Sequence, residues 1–152
     1  CDFGCGTGLL TERLVADGAT VDAVDSSGAM LEVLGAKVER AGLTGVEVLQ
    51  RPPADAREYD LVVCSSVCAF LPDYPVAVAD LVDRLRPGGG FVQWDWERPE
   101  DEPDGMGLTR SEIDSALSSA GLVDVDVATG FEVVVDGSQM RPLVGHGRRP
   151  TT

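Results

Sequence analysis

Asp2-Phe3-Gly4-Cys5-Gly6-Thr7-Gly8, followed at once by Leu9-Leu10-Thr11-Glu12-Arg13-Leu14, is the stretch on which the fold turns. An acidic residue, three glycines on alternate positions and then a helical pattern describe a strand that bends sharply into a helix. Glycine suits such a bend because it tolerates positive φ, and because a missing Cβ lets a ligand lie against the backbone. The helix that follows presents free N–H groups and a positive dipole end to whatever sits there. The spacing is Gly-x-Gly-x-Gly. Leu9 stands where the dinucleotide fingerprint needs its third glycine, so that motif is not matched. Taken alone, a glycine loop with no ligand would look the same.

Outward from the loop, strand and helix patterns alternate to the end of the chain. Leu9 to Ala16 reads as the first helix, with Gly18 as its left-handed cap. Thr20 to Val24 is a short strand ending at Asp25. A carboxylate there can accept both hydroxyls of a ribose; the alternative is a helix cap beside Ser26. Ser26-Ser27 can cap the second helix, whose stripe of Met30, Leu31, Leu34 and Val38 ends at Gly42. Val46–Leu49 is a third strand, and Asp60–Cys64 a fourth, apolar enough to be buried on both faces. Asp73 caps a third helix with Pro75 in its first turn and Val78, Leu81, Val82 and Leu85 inward. Pro87-Gly88-Gly89-Gly90 breaks it, and Phe91–Asp95 is the fifth strand. After an acidic loop from Glu97 to Asp104, Thr109-Arg110-Ser111-Glu112 forms a capping box. Ile113, Ala116, Leu117 and Ala120 face inward on that helix, which Gly121 closes. Two last strands lie near Val123–Val127 and Met140–Gly145, joined by an excursion through Phe131–Asp136. The pattern predicts one α/β domain, residues 1–152, around a mostly parallel sheet.

Composition narrows the function classes. A chain of 152 residues suits one domain that buries roughly 70% of its unfolded surface. The net charge of −14, from 26 acidic and 12 basic residues, argues against nucleic acid as a partner. No apolar run approaches the ~18–20 residues of a membrane span. The four cysteines form two C-x3-C pairs, Cys1/Cys5 and Cys64/Cys68. That spacing admits zinc, but Cys5 lies inside the glycine turn and Cys64 ends a strand. Reduced thiols in a cytoplasmic protein, with no metal, are the expectation. A strand feeding the loop should contain about four or five residues before it, and only Cys1, Asp2 and Phe3 are present. The sequence therefore reads as cut at its N-terminus.

Taken together, these motifs resemble those of class I S-adenosylmethionine-dependent methyltransferases, in the branch that modifies small molecules. Asp2 to Gly8 is similar to that family's first motif, and Asp25 to the acid after its second strand. Asp60-Leu61-Val62-Val63 resembles its fourth-strand motif, and Leu85-Arg86-Pro87-Gly88-Gly89 the turn before its fifth. Ala120-Gly121-Leu122 and the two strands after it resemble its C-terminal end. The resemblance implies a Rossmann-like, seven-stranded, mostly parallel sheet with helices on both faces and an antiparallel last strand between its neighbours. It implies S-adenosyl-L-methionine as cofactor. Gly4 and Gly6 would lie under its methionine and ribose portions, with Cys5 and Gly8 completing the cradle. Asp2 would hold the amino end directly or through water, and Asp25, with Ser26 beside it, the ribose. Cys64 and Ser65 would face the methionine end, and Asp55-Ala56 would flank adenine unless they form a plain turn after Pro52-Pro53.

The implied chemistry is an SN2 displacement of a methyl group from a sulfonium by a small-molecule acceptor. The protein mainly aligns donor and acceptor, and a base is needed only where the acceptor must lose a proton. Asp95, at the end of the fifth strand, is the candidate; a loop-capping carboxylate is the alternative. Trp96 could wall the acceptor pocket, with Cys68 and Phe70. Strand alternation sets Trp94 and Trp96 opposite Asp95, with at least one of them in the core. Ala69 stands where many relatives carry a histidine or another polar group, and His146, the single histidine, lies in the last strand. Helices that in relatives precede the first strand and shape the acceptor site are missing from the sequence. A cofactor-binding or structural domain without turnover is the competing reading. The sequence leaves the acceptor atom and oligomeric state open.

Overall fold

A computed structural model describes residues 1–54, 58–135 and 138–151. The chain divides into two compact units, Cys1–Arg57 and Glu58–Thr152. Among the described residues, the strands of the main sheet lie in the order Val46–Leu49, Val21–Val24, Asp2–Phe3 within the first unit and Tyr59–Ser65, Leu85–Trp96, Pro142–Arg148, Val123–Thr129 within the second.

The first unit runs β1 (Asp2–Phe3), α1 (Leu9–Ala16), β2 (Val21–Val24), α2 (Gly28–Ala41) and β3 (Val46–Leu49). Its three strands are parallel, with Asp2 opposite Ala23 and Val21 opposite Val46. Alternation along β2 turns Val21 and Ala23 to one face, where they pack with Cys5 and Leu34. Leu14, Val15, Leu31, Val38, Val46 and Val48 close around this cluster. The stripe expected on α2 is therefore correct at Leu31, Leu34 and Val38 but not at Met30, which is exposed in the first turn. Ser27, not Ser26, caps α2 by accepting from Met30 N–H, and Gly42 closes it at φ 61°.

The second unit holds β4 (Tyr59–Ser65), a 3-10 turn (Cys68–Phe70), α3 (Tyr74–Val82), β5 (Leu85–Trp96), α4 (Arg110–Ser119), β6 (Val123–Thr129), β7 (Val133–Val135), β8 (Ser138–Met140) and β9 (Pro142–Arg148). β4 and β5 are parallel; β9 lies antiparallel between β5 and β6, as the C-terminal pattern implied. Two expectations need correction. Strand β5 starts at Leu85 and runs through Pro87–Gly90, which belong to the strand instead of separating it from α3. The ladder tolerates this because its register shifts between Tyr59 and Leu61, and because a Cβ on Gly89 would come within 2.9 Å of the carbonyls of Arg86 and Tyr59. The excursion after β6 is not plain loop: it carries the antiparallel pair β7-β8.

Helix α4 opens on the expected capping box, with Thr109 and Glu112 each bonding the other's backbone N–H. Its Ile113 and Leu117 press on β9 where a side chain at Gly145 would collide with both. Gly147 gives the same clearance to Leu122. His146 falls between these two glycines and turns the other way, half-exposed, with Nε2 3.7 Å from Asp126 Oδ2. Packing thus explains both glycines, and the lone histidine pairs with a surface acid when protonated.

Candidate functional site

In the first unit the site is built from backbone. Gly4, Gly6 and Gly8 all have positive φ, at 74°, 53° and 85°. The chain leaves β1 with Gly4 and Cys5 N–H both donating to the Val24 carbonyl, and Gly8 N–H donating to Cys5. These bonds pull the loop back over β2. Gly8 is the N-cap of α1, and a Cβ there would land on Leu34 Cδ1. Above Gly6 nothing lies within 4 Å of where a Cβ would be. One glycine is required by packing beneath the loop; the other leaves an open bare face on top.

Two carboxylates frame this loop. Asp25 Oδ2 accepts from Gly6 N–H at 2.9 Å and its Oδ1 from Ser27 N–H at 2.8 Å. It braces the loop and the start of α2 together. Each oxygen keeps a second lone pair for a hydroxyl donor. Both readings of Asp25, brace and ribose acceptor, are thus compatible with one geometry. Ser26 beside it is exposed. Asp2 is almost completely buried: its Oδ2 accepts from Thr11 Oγ at 2.6 Å, while its Oδ1 has no partner. Burial pushes the Asp2 carboxyl up from its ordinary value. A buried acceptor left unpaired costs about 1–3 kcal/mol, so the site is suited to receive a donor, whether an ammonium group or a water it holds. The open face at Gly6 and the orphaned oxygen of Asp2 are the two features that fit a bound nucleoside carrying an amino acid.

The Cys5 side chain belongs to the core of the first unit. It is buried in the cluster with Val21, Ala23 and Leu34, and burial with the nearby Asp2 and Asp25 charges pushes the thiol up to about 12. Only the Cys5 backbone shapes the loop. Asp55 and Ala56 lie outside the described residues.

In the second unit the site is built from side chains. Asp95 is 1% exposed. Its Oδ1 accepts from Ala69 N–H at 3.3 Å and its Oδ2 from Gln93 Nε2 at 3.2 Å. The Cys68 thiol also bonds it. Burial outweighs these donors and pushes the carboxyl up to about 6. Asp95 therefore caps the 3-10 turn, as the alternative reading held, while also lining a pocket of about 280 Å³ with Ser66, Phe70, Trp96 and Met106. Phe70 and Met106 are exposed, and Ser66 holds φ 53°, a conformation that a residue with a Cβ adopts at a cost of about 1–2 kcal/mol.

Cys64 and Cys68 are fully buried, and they hydrogen-bond through their thiols. Burial and that bond hold Cys68 protonated. Neither side chain walls the pocket; Ser65, half-buried at the end of β4, is more accessible. Cys5, Cys64 and Cys68 are unbridged thiols. Trp96 is 37% exposed and Trp94 half-buried, so neither tryptophan sits fully in the core.

Three residues escaped the sequence reading. Gln93 is fully buried between Asp95 and Tyr74, whose hydroxyl donates to its Oε1 at 2.7 Å. A glutamine in the run Phe91-Val92-Gln93-Trp94 was the available signal, since an inward polar residue needs a partner. Arg98 organises the acidic loop: its Nε donates to the Gly107 carbonyl, one terminal nitrogen to the Glu102 carbonyl, and the other to Glu112. It thereby secures the stretch that brings Met106 to the pocket.

Comparisons with known proteins identify the family of the chain. A family model described as "Methyltransferase domain" matches residues 1–91. Among curated relatives, the ubiquinone biosynthesis O-methyltransferase of Marinobacter nauticus is 36% identical over 95 residues, covering 58% of this chain and 40% of that protein. The chain thus spans about 40% of the length of the curated relatives it matches. Among solved structures, the YcgJ protein of Bacillus subtilis aligns with TM-score 0.78 and 16% identity, covering 98% of this chain and 90% of that one. An S-adenosylmethionine-dependent methyltransferase from Aquifex aeolicus aligns with TM-score 0.70 and 21% identity, covering 95% and 79%. At these identities the structures establish the Rossmann-like fold, and the family match runs from the glycine loop into the start of β5. The chain belongs to the methyltransferase domain family, in its class I, S-adenosylmethionine-dependent form.

Proposed function

We propose that the chain is the catalytic core of an enzyme that transfers a methyl group from S-adenosylmethionine to a small-molecule acceptor. The observation that carries this reading is the pairing, in the first unit, of an open glycine bend with a buried, unpartnered acceptor on Asp2. When bound, the cofactor supplies a methyl group on a positively charged sulfur, already activated for displacement. Asp2 Oδ1 accepts from the amino group directly or through water. Asp25 offers its remaining lone pairs to the ribose hydroxyls while it holds Gly6 in place. The backbone of Gly4 and Gly6 completes the cradle within the first unit. The family match crosses the boundary between the two units, which supports reading both as one methyltransferase core.

On the acceptor side, Asp95 takes a proton from the acceptor atom where one must leave, and Phe70 and Trp96 provide apolar walls. A carboxyl poised at about 6 is ionised at neutral pH yet basic enough to share a proton. The unbridged thiols of Cys5, Cys64 and Cys68 fit a reducing, cytoplasmic setting.

Isothermal calorimetry with S-adenosylmethionine and with S-adenosylhomocysteine tests the assignment. Both should bind, and Asp25→Ala should weaken both. Absence of binding by either compound would overturn it; binding without transfer to any acceptor would mark a cofactor-binding module instead.

A further inference from the structure

We propose that Tyr74 and Gln93 are positioning residues for Asp95: the tyrosine hydroxyl fixes which end of the Gln93 amide meets the carboxylate, and so holds that carboxylate in one orientation. The inference rests on the reading of Asp95 as the acceptor-side base. An amide has two ends of nearly equal size and opposite hydrogen-bonding character. In a fully buried place, neighbours alone decide which end points where. Here the Tyr74 hydroxyl donates to Gln93 Oε1 at 2.7 Å, which leaves Nε2 to donate to Asp95 Oδ2 at 3.2 Å. The reverse orientation would set Oε1 against Oδ2, two acceptors, and would strip the phenol proton of its acceptor. That arrangement is tolerable only with Asp95 protonated.

The relay therefore links a helix residue to the protonation of a strand carboxylate. Asp95 and Gln93 share the inward face of β5, and Tyr74 reaches them from the first turn of α3. The titratable groups facing Asp95 are the Cys68 thiol, Tyr74 itself and, through Cys68, Cys64. None of these is a cation. With Cys68 and Tyr74 both held protonated, hydrogen bonds alone favour the charged form of Asp95 against its burial. Gln93 and Tyr74 supply one of them, and they also settle its direction.

Carbon-13 NMR titration of the Asp95 carboxyl in the whole chain reads this directly. The wild-type midpoint should lie near 6. Tyr74→Phe and Gln93→Leu should each raise it by about half a unit or more, roughly a threefold weaker acid. The double variant should shift no further than Gln93→Leu alone, because the tyrosine acts only through the amide. An unmoved midpoint in Tyr74→Phe, or additive shifts, would overturn the proposal. Should Tyr74→Phe not fold, a ring-fluorinated tyrosine placed at 74 strengthens the donor and should lower the midpoint; no movement there is equally fatal. The titration is independent of turnover. If the midpoints shift as expected while Asp95→Asn leaves methyl transfer unchanged, the relay stands and the base assignment fails.

Discussion

Gly4, Gly6 and Gly8 act through what they lack, whereas Asp95, Gln93 and Tyr74 act through what they carry. In the first unit the chain bends where a Cβ would be strained, and the space left free is the feature on which the proposed cofactor site rests. Its acids, Asp2 and Asp25, are set by short-range pairing between neighbouring parallel strands. In the second unit nothing local forms the site. A strand end, a 3-10 turn and the first turn of a helix all contribute groups, and the polar atoms satisfy one another in a buried place. The two regions teach that the proposed cradle is nearly a property of local backbone, while a tuned carboxylate is a property of packing. They should accordingly fail in different ways.

The sharpest way to break the contrast is at Gly8. An alanine there must adopt φ near 85° and displace Leu34, so Gly8→Ala should cost roughly 2–5 kcal/mol of stability in urea unfolding. A neutral outcome would show that the bend is not conformationally demanding. Asp95 comes next. Its carboxyl is raised in the folded state from an ordinary 3.8 to about 6, so its favourable share of stability is complete below pH 4 and is lost as pH rises through 6. Over that window the stability of wild type relative to Asp95→Asn should fall by about 3 kcal/mol. Urea melts between pH 4 and 7 on both proteins check this; a flat difference would mean that the carboxyl is not strained by burial.

Smaller effects sharpen the comparison. Asp25→Ala removes two charge-assisted braces, from Gly6 and Ser27, and should weaken S-adenosylhomocysteine binding by about 1.5–3 kcal/mol, at least tenfold. Calorimetry measures it, and an unchanged affinity would restrict Asp25 to the loop's interior bonding. Thr109→Ala, which removes the N-cap of α4, should cost about 1 kcal/mol of stability and leave cofactor affinity untouched. A large loss of affinity from this change would show that the two regions are less separable than their construction suggests.

Much of this protein was readable from residue order because much of it depends on short-range rules. Positive φ at alternate glycines, the caps at Asp73 and Thr109, the left-handed ends at Gly18, Gly42 and Gly121, and the alternation along β2 need only a few neighbours. What resisted reading needed distant partners. Pro87–Gly90 looks like a break until β4 is set beside it. Cys5 and Cys64 sit in motifs that invite a ligand role, yet their side chains turn inward. Gln93 has no meaning until Tyr74, nineteen residues earlier, is brought to it.

The sequence by itself determined the glycine bend, the chain order of the main-sheet strands and the helices, and the acid one strand over, since backbone sterics and hydrophobic period act within a turn or a strand. Only the tertiary structure decided which carboxylate oxygen is left without a partner and which acid is driven towards neutrality. Burial and hydrogen-bond pairing are set by atoms that chain order does not make neighbours.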